Sequence, residues 1–152
     1  MGRLNDVFQM DRHNGKYFTI IYGVYDRTTR SLAYCNAGHP SALLFTGPSA
    51  ETTTLMRLES TDPMVGMLPP GMPFETKTVT VGPYARLLIY SDGVFEIEQP
   101  GGSMWKFEDF VAFIAVNAAA GDLVDRLYAH VRARRGAEVL NDDFSILDVC
   151  WT

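Results

Sequence analysis

The chain has 152 residues, 47% of them hydrophobic and 20% charged, and 13 Lys and Arg against 18 Asp and Glu leave a formal net charge of −5. That is enough apolar material for one core at a length that suits one domain, and it excludes intrinsic disorder as the main description. A pI near 5.1 argues against a general nucleic-acid binder, which needs clustered cations facing phosphates. The single basic cluster, Arg132, Arg134 and Arg135, falls at the end of an expected helix, where cations suit the dipole.

No membrane span is expected. The longest uncharged run, Ser31 to Ala50, is interrupted by Asn36, His39, Pro40 and Pro48, and the apolar stretch Phe110 to Gly121 is too short to cross a bilayer. The residues after Met1-Gly2-Arg3 form no apolar core of a secretory signal. Cys35 and Cys150 each sit in an apolar, strand-like run, and are read as small buried hydrophobes rather than a bridge or metal pair. A cytoplasmic, reducing location is the expectation.

In chain order, Leu4 to Asp11 reads as the tail of a helix with Leu4, Val7 and Phe8 on one face, ended by His13-Asn14-Gly15. Tyr17 to Tyr25 is a β-branched and aromatic strand with both faces at least partly covered, and Ser31 to Cys35 returns as its hairpin partner across the polar turn Asp26 to Arg30. Ser41 to Thr46 is a third strand, Gly47-Pro48-Ser49 a turn, and Thr52 to Leu58 a fourth strand. Asp62 to Met72, rich in Pro and Gly, is a loop, and the alternating Phe74 to Val81 is an exposed or edge strand. Arg86 to Tyr90 is a compact apolar strand running into Ser91-Asp92-Gly93. Two helices follow, Phe107 to Ala120 and Asp122 to about Arg135, the second with Asp122 as N-cap and Leu123, Leu127 and Val131 on one stripe. The last strand is Phe144 to Trp151, directly after Asn141-Asp142-Asp143. Antiparallel-type strands with helices grouped near one end make an α+β domain with helices on a sheet face. One domain, without internal repeats, is expected.

Two places put carboxylates at the end of an apolar strand. Asp92 leaves one strand, with Gly93 allowing close approach of the backbone, and Asp142 and Asp143 precede another. Carboxylates there are costly unless paired, capped or metal-bound, and hard divalent ions take such oxygen ligands. Taken singly, Asp-Gly is mostly a turn signal and Asp-Asp mostly a turn or a cap. A third feature, Asn36-Ala37-Gly38-His39-Pro40, offers His39 as a base, but its spacing fits better a tight turn in which Asn36 and His39 bond to backbone.

Together these motifs resemble one family. Tyr17 to Asp26 matches its strand and hairpin, Asn36-Ala37-Gly38-His39-Pro40 its Asn-Ala-Gly-His-Pro turn, and Leu88 to Val94 with Glu96 its Tyr-Thr-Asp-Gly-Val-x-Glu motif. Asp142-Asp143-Phe144-Ser145 matches its Asp-Asp-Ile-Thr motif. The chain resembles the metal-dependent PPM (type 2C) Ser/Thr phosphatases of the bacterial SpoIIE/RsbU branch, in order and from Leu4 to Thr152. The resemblance implies an α-β-β-α sandwich of mostly antiparallel sheets, with two Mn²⁺ or Mg²⁺ ions that activate a water against a phosphoserine or phosphothreonine. It implies metal-ligand roles for Asp92 and Asp142, and outer, supporting roles for Gly93, Asp143, Asn36 and His39; it assigns no residue as acid, base or nucleophile.

The chain departs from the family at its start. The family's first strand carries an Asp-Gly or Gly-Asp motif whose Asp bridges the two ions, followed by a Gly-His-Gly turn and a helix. Asp6 and Asp11 lie on a helix tail, and neither is followed by Gly. The expectation is therefore a single PPM/SpoIIE-type domain over residues 1–152 that represents its C-terminal three quarters or so, weak or inactive on its own. The implied substrate is a phosphorylated regulatory protein, within this branch an anti-sigma-factor antagonist in a partner-switching response. No nucleic acid or membrane partner is expected, and exposed sheet surface would favour a homodimer. The alternative of a different class is a catalytically inactive, phosphatase-like module that binds a regulatory partner; a β-rich scaffold with no site is a third.

Overall fold

The computed structural model describes residues 1–137 and 139–151; the end of the resemblance at Thr152 lies outside the described residues. Two compact units are present, one made of residues 1–41 and 57–82, the other of residues 42–56 and 83–152.

The first unit holds a three-stranded antiparallel sheet in the order β1 (Ile20–Asp26), β2 (Ser31–Ala37), β5 (Lys77–Thr80). The β1–β2 turn is closed by Asp26, whose Oδ1 accepts the amides of Thr28 (2.7 Å) and Thr29 (3.2 Å). β5 is an edge strand, as its Thr-rich alternation predicts. β1 differs from expectation. It starts three residues later than the β-branched run, because the stretch before it joins only as an isolated bridge between Phe18 and Val65, and it leaves Tyr22 and Val24 more than half exposed.

The N-terminal helix α1 (Gly2–Val7) also corrects its apolar reading. Leu4 and Val7 point to solvent at 40% and 72% exposure, whereas Asn5 is fully buried. Asn5 is buried because its amide satisfies two loop groups: Nδ2 donates to Leu68 O (2.9 Å) and Oδ1 accepts from Gly66 N (2.9 Å). Gln9 adds bonds to Asn5 O (2.7 Å) and Leu68 O (3.1 Å). Amide side chains can thus replace an apolar stripe where the neighbour is a loop with unpaired backbone.

The second unit is a four-stranded sheet in the order β4 (Thr52–Leu58), β3 (Ala42–Ser49), β6 (Tyr84–Tyr90), β7 (Ile146–Trp151). The expected turn at Gly47-Pro48-Ser49 is instead the end of β3. Gly47 is required there because a Cβ would stand 1.9 Å from Thr52 O, and the chain turns after it, at Ala50 and Glu51. α2 (Phe107–Asn117) and α3 (Leu123–Arg135) pack on one face. Leu43, Phe45, Leu88 and Tyr90 from the sheet join Phe110, Ile114, Leu123, Leu127 and Val131 from the helices in one core. Each fully buried aliphatic contributes roughly 2 kcal/mol of transfer free energy. Asp122 occupies the N-cap position of α3, yet its side chain makes no capping bond. Its Oδ1 takes the Nε–H of Arg126 at 2.6 Å instead. Cys150 is exposed, because β7 is an edge strand, while Cys35 is buried as expected.

One charged pair sits inside this unit. Arg86, 3% exposed, gives Nε to Asp148 Oδ1 (2.9 Å) and Nη2 to Oδ2 (2.5 Å) across the β6–β7 ladder. Its Nη1 donates to the carbonyls of Ala118 (2.8 Å) and Ala120 (2.6 Å), just beyond α2. The bond to Asp148 outweighs burial and raises the guanidinium pKa. Replacing Asp148 by Ala leaves a buried, uncompensated cation and is expected to cost about 3 kcal/mol; chemical denaturation against the Arg86→Met, Asp148→Leu double variant, expected near wild type, checks it.

A second device lies at the end of α3. His130 stacks on Phe113 with centroids 4.3 Å apart, and its Nε2 accepts the Nε–H of Arg134 at 2.8 Å. Burial, then the charge of Arg134, lowers its pKa. The native state thus favours neutral imidazole, so this contribution is complete above the unfolded value near pH 6.5 and is lost as the pH falls below it. Melting temperatures from pH 8 to pH 5 are expected to fall more steeply for the wild type than for His130→Gln.

Candidate functional site

The two carboxylate motifs meet because their strands do. β6 and β7 pair antiparallel to the last residue, Tyr90 opposite Ile146. The chain just after β6 and the chain just before β7 therefore leave the sheet at the same end. Beyond the ladder, Ser91 N donates to Ser145 O at 2.9 Å, which extends the pairing by one step.

Past that step the backbone turns. Asp92–Val94 form a 3₁₀ turn, closed by Val94 N to Ser91 O (3.2 Å) and by Phe95 N and Glu96 N to Asp92 O (both 2.9 Å). Val94 is fully buried and roots the turn in the core, while Asp92 is exposed. Gly93 is buried against the second motif. A Cβ at this position would lie 2.5 Å from Asp143 O and 3.2 Å from the Cβ of Asp142, so the absence of a side chain lets the two acidic segments touch.

The carboxylates themselves are lightly committed. Asp92 Oδ1 accepts from Gly93 N (3.0 Å), and Asp142 Oδ1 accepts from Asp143 N (2.7 Å). Each thus has one oxygen oriented by the next amide. Among the described residues neither is ion-paired. Asp143 is also exposed, and its carbonyl, rather than its carboxylate, is the group held: Ser91 Oγ donates to it at 2.8 Å. Upstream, Asn141 Oδ1 accepts from Arg135 Nη2 at 2.8 Å, which ties the Asp142 segment to the end of α3.

As donors, Asp92 and Asp142 are hard oxygen ligands of the kind Mg²⁺ and Mn²⁺ take. The fit is in kind and not in number. Among the described residues no group of three or more His, Cys, Asp or Glu side chains is placed to hold a metal ion.

Asn36 and His39 belong to the first unit and have their partners there. Asn36 is fully buried; its Oδ1 accepts from His39 N (2.9 Å) and its Nδ2 donates to Leu58 O (3.1 Å). Its carbonyl accepts the amide of Thr61 at 3.0 Å. His39 Nδ1 lies 3.0 Å from Pro40 O, which places the proton on Nδ1. Gly38 between them has φ +68°, a left-handed conformation that suits glycine, and a Cβ there would strike Met64. Both side chains serve the turn. Ser91 and Asn141 escape a reading based on ligand types. Their only sequence signal is adjacency to the aspartates, since a hydroxyl or amide beside a strand end is usually a turn former.

The family described as Stage II sporulation protein E (SpoIIE) matches residues 1–152. The phosphoserine phosphatase RsbP of Bacillus subtilis (strain 168) is 28% identical over 148 residues, 96% of this chain and 34% of RsbP. The chain thus spans about a third of that relative. Among solved structures, the PP2C phosphatase domain of SpoIIE from Bacillus subtilis, with a fragment of its regulatory domain, superposes with TM-score 0.69 at 13% identity, covering 95% of this chain and 41% of that one. RsbX in complex with magnesium gives TM-score 0.64 at 16% identity, covering 97% and 60%. At these identities the structures speak for the fold.

Gly93→Ala forces a Cβ into Asp143 O and is expected to cost about 2 kcal/mol by overpacking. A thermal melt, with amide exchange at residues 142–145 to locate the disturbance, checks it.

Proposed function

The chain belongs to the SpoIIE family, within the SpoIIE/RsbU branch of PPM phosphatases, and from that membership we propose that it acts in metal-dependent hydrolysis of phosphoserine or phosphothreonine on a regulatory protein. The observation that supports the reading is the direct apposition of the Asp92–Gly93 turn and the Asp142–Asp143 segment. The segments that carry the two carboxylates touch, and among the described residues neither carboxylate is ion-paired. In this reading Asp92 and Asp142 are metal ligands, and residues 1–152 act as one phosphatase-type domain. Bound there, two Mn²⁺ or Mg²⁺ ions supply a lowered water pKa and neutralisation of phosphoryl charge.

The chain's own residues have defined parts in this scheme. Asp92 and Asp142 present one unshared oxygen each. Gly93 keeps the two segments in contact, and Asp143 shapes the approach through its carbonyl. Asn36 and His39 support the fold of their turn rather than touch substrate. The named relative is a phosphoserine phosphatase, and the preferred substrate here is likewise a phosphoprotein of a partner-switching circuit, an anti-sigma-factor antagonist, in the cytoplasm. No helix among the described residues is long and apolar enough to cross a membrane.

One observation favours a second reading. With only two ligand carboxylates in the pair, and no group of three metal-capable side chains placed to hold an ion among the described residues, the domain would bind divalent ions weakly and recognise its partner without turnover. Exposed Tyr22 and Val24 on β1 would then also support self-association.

Mn²⁺ titration by calorimetry, with hydrolysis of a phosphoserine peptide measured in parallel, separates the two. The enzyme reading expects heat of binding that is lost in both Asp92→Asn and Asp142→Asn, together with Mn²⁺-dependent phosphate release that falls at least about 100-fold in either variant. Binding without release supports the regulatory module. A folded chain that neither binds Mn²⁺ nor releases phosphate overturns the phosphatase reading for this chain.

A further inference from the structure

The Ser91 side chain joins the strand end that carries Asp92 to the segment that carries Asp142. It stands between the last residue of β6 and Asp92. Its Oγ donates to Asp143 O at 2.8 Å and accepts the amide of Ser145 at 3.1 Å. One hydroxyl thus spends its proton on one side of Phe144 and a lone pair on the other. The Asp142–Asp143 segment precedes the β7 ladder and is solvent-exposed, so without this tether its nearest regular backbone pairing is that of Ser145 O with Ser91 N.

We propose that Ser91 is a positioning residue for the acidic pair: by clasping the Asp143 carbonyl and the Ser145 amide it fixes the Asp142 segment against the Asp92–Gly93 turn, and so sets how tightly the pair holds a hard divalent cation. The physical reason is preorganisation. Two ligands on separately moving segments lose conformational freedom when a cation draws them together, and a clasp formed beforehand removes that loss from the binding step. The clasp also acts on backbone rather than on the carboxylates, which leaves their oxygens for the ion. Removal of groups that orient metal ligands from outside typically weakens affinity 10- to 100-fold.

The clasp is separable from the fold. The bond from Ser91 N to Ser145 O and the β6–β7 ladder use only backbone and remain in Ser91→Ala. What disappears is the tether to Asp143 O and the acceptor for Ser145 N–H. In Ser91→Thr the hydroxyl is kept.

This inference rests on the reading of Asp92 and Asp142 as cation ligands. Mn²⁺ affinity by calorimetry and amide exchange of Ser145 by NMR in the metal-free chain test it, on wild type, Ser91→Ala and Ser91→Thr. The expected result is Mn²⁺ binding weakened about tenfold in Ser91→Ala, Ser145 exchange accelerated about fivefold, a melting temperature close to wild type, and recovery of both properties in Ser91→Thr. Wild-type affinity in Ser91→Ala, whatever its exchange rate, overturns the positioning role while the cation-site reading stands. Equal weakening in Ser91→Ala and Ser91→Thr also overturns it, since the hydroxyl is then not the agent. A folded wild type that gives no Mn²⁺ heat overturns the cation-site reading, and the positioning role with it.

Discussion

The antiparallel pairing of β6 with β7 is the constraint from which the rest of the second unit follows. Its register, with Leu88 opposite Asp148 and Tyr90 opposite Ile146, sets three things at once. It carries Leu88 and Tyr90 into the core under α2 and α3. It places Arg86 and Asp148 near enough for a bidentate bond across the ladder. It also makes the two strands end together, so that residues 91–93 and 142–145, far apart in sequence, become neighbours. A slip of one residue would reverse every side chain of β7 between its faces, and the charged pair and the acidic apposition would be lost in the same step. The ladder therefore couples stability to the site through geometry alone.

Much of this was legible in the amino-acid sequence, where a local pattern had a local cause. The apolar run ending in Ser91-Asp92-Gly93 reads as a strand with a carboxylate at its tip, and the stripe Leu123, Leu127, Val131 reads as the buried face of α3; both stand in the structure. The edge position of β5 follows from its exposed threonines. The α+β class with antiparallel sheets follows from the same periodicities. That Asp92 and the Asp142–Asp143 segment meet was legible only through resemblance, because strand pairing at a separation of about fifty residues has no local signature.

The misreadings share a physical origin, which is that the partner of each group was nonlocal. Leu4, Val7 and Phe8 read as one apolar face, but Asn5 is the buried residue, because a loop some sixty residues away supplies the carbonyl and amide that make its burial favourable. Gly47 looked like a turn former, whereas its smallness answers the approach of the Thr52 carbonyl. Cys150 sits in an apolar run, but on an edge strand. Ser91 looked like part of a turn, and its work is done on residues of another strand. Propensity reads what a residue does with its neighbours in sequence, and these residues act on neighbours in space.

The clamp formed by Arg86 has a consequence for how this unit divides its labour. By gripping the carbonyls of Ala118 and Ala120 from within the sheet, it anchors the link between α2 and α3 to the same two strands that define the acidic edge. The helical layer is thereby referenced to β6 and β7, in addition to its ties to the acidic turns through Arg135 with Asn141 and through Val94. The exposed surface of α2 and α3 can then change wherever Arg86 still finds two carbonyls and the apolar stripe still reaches Leu88 and Tyr90. A domain built this way can acquire a new face on its helical side, for a new partner, without any change at the edge where its carboxylates stand.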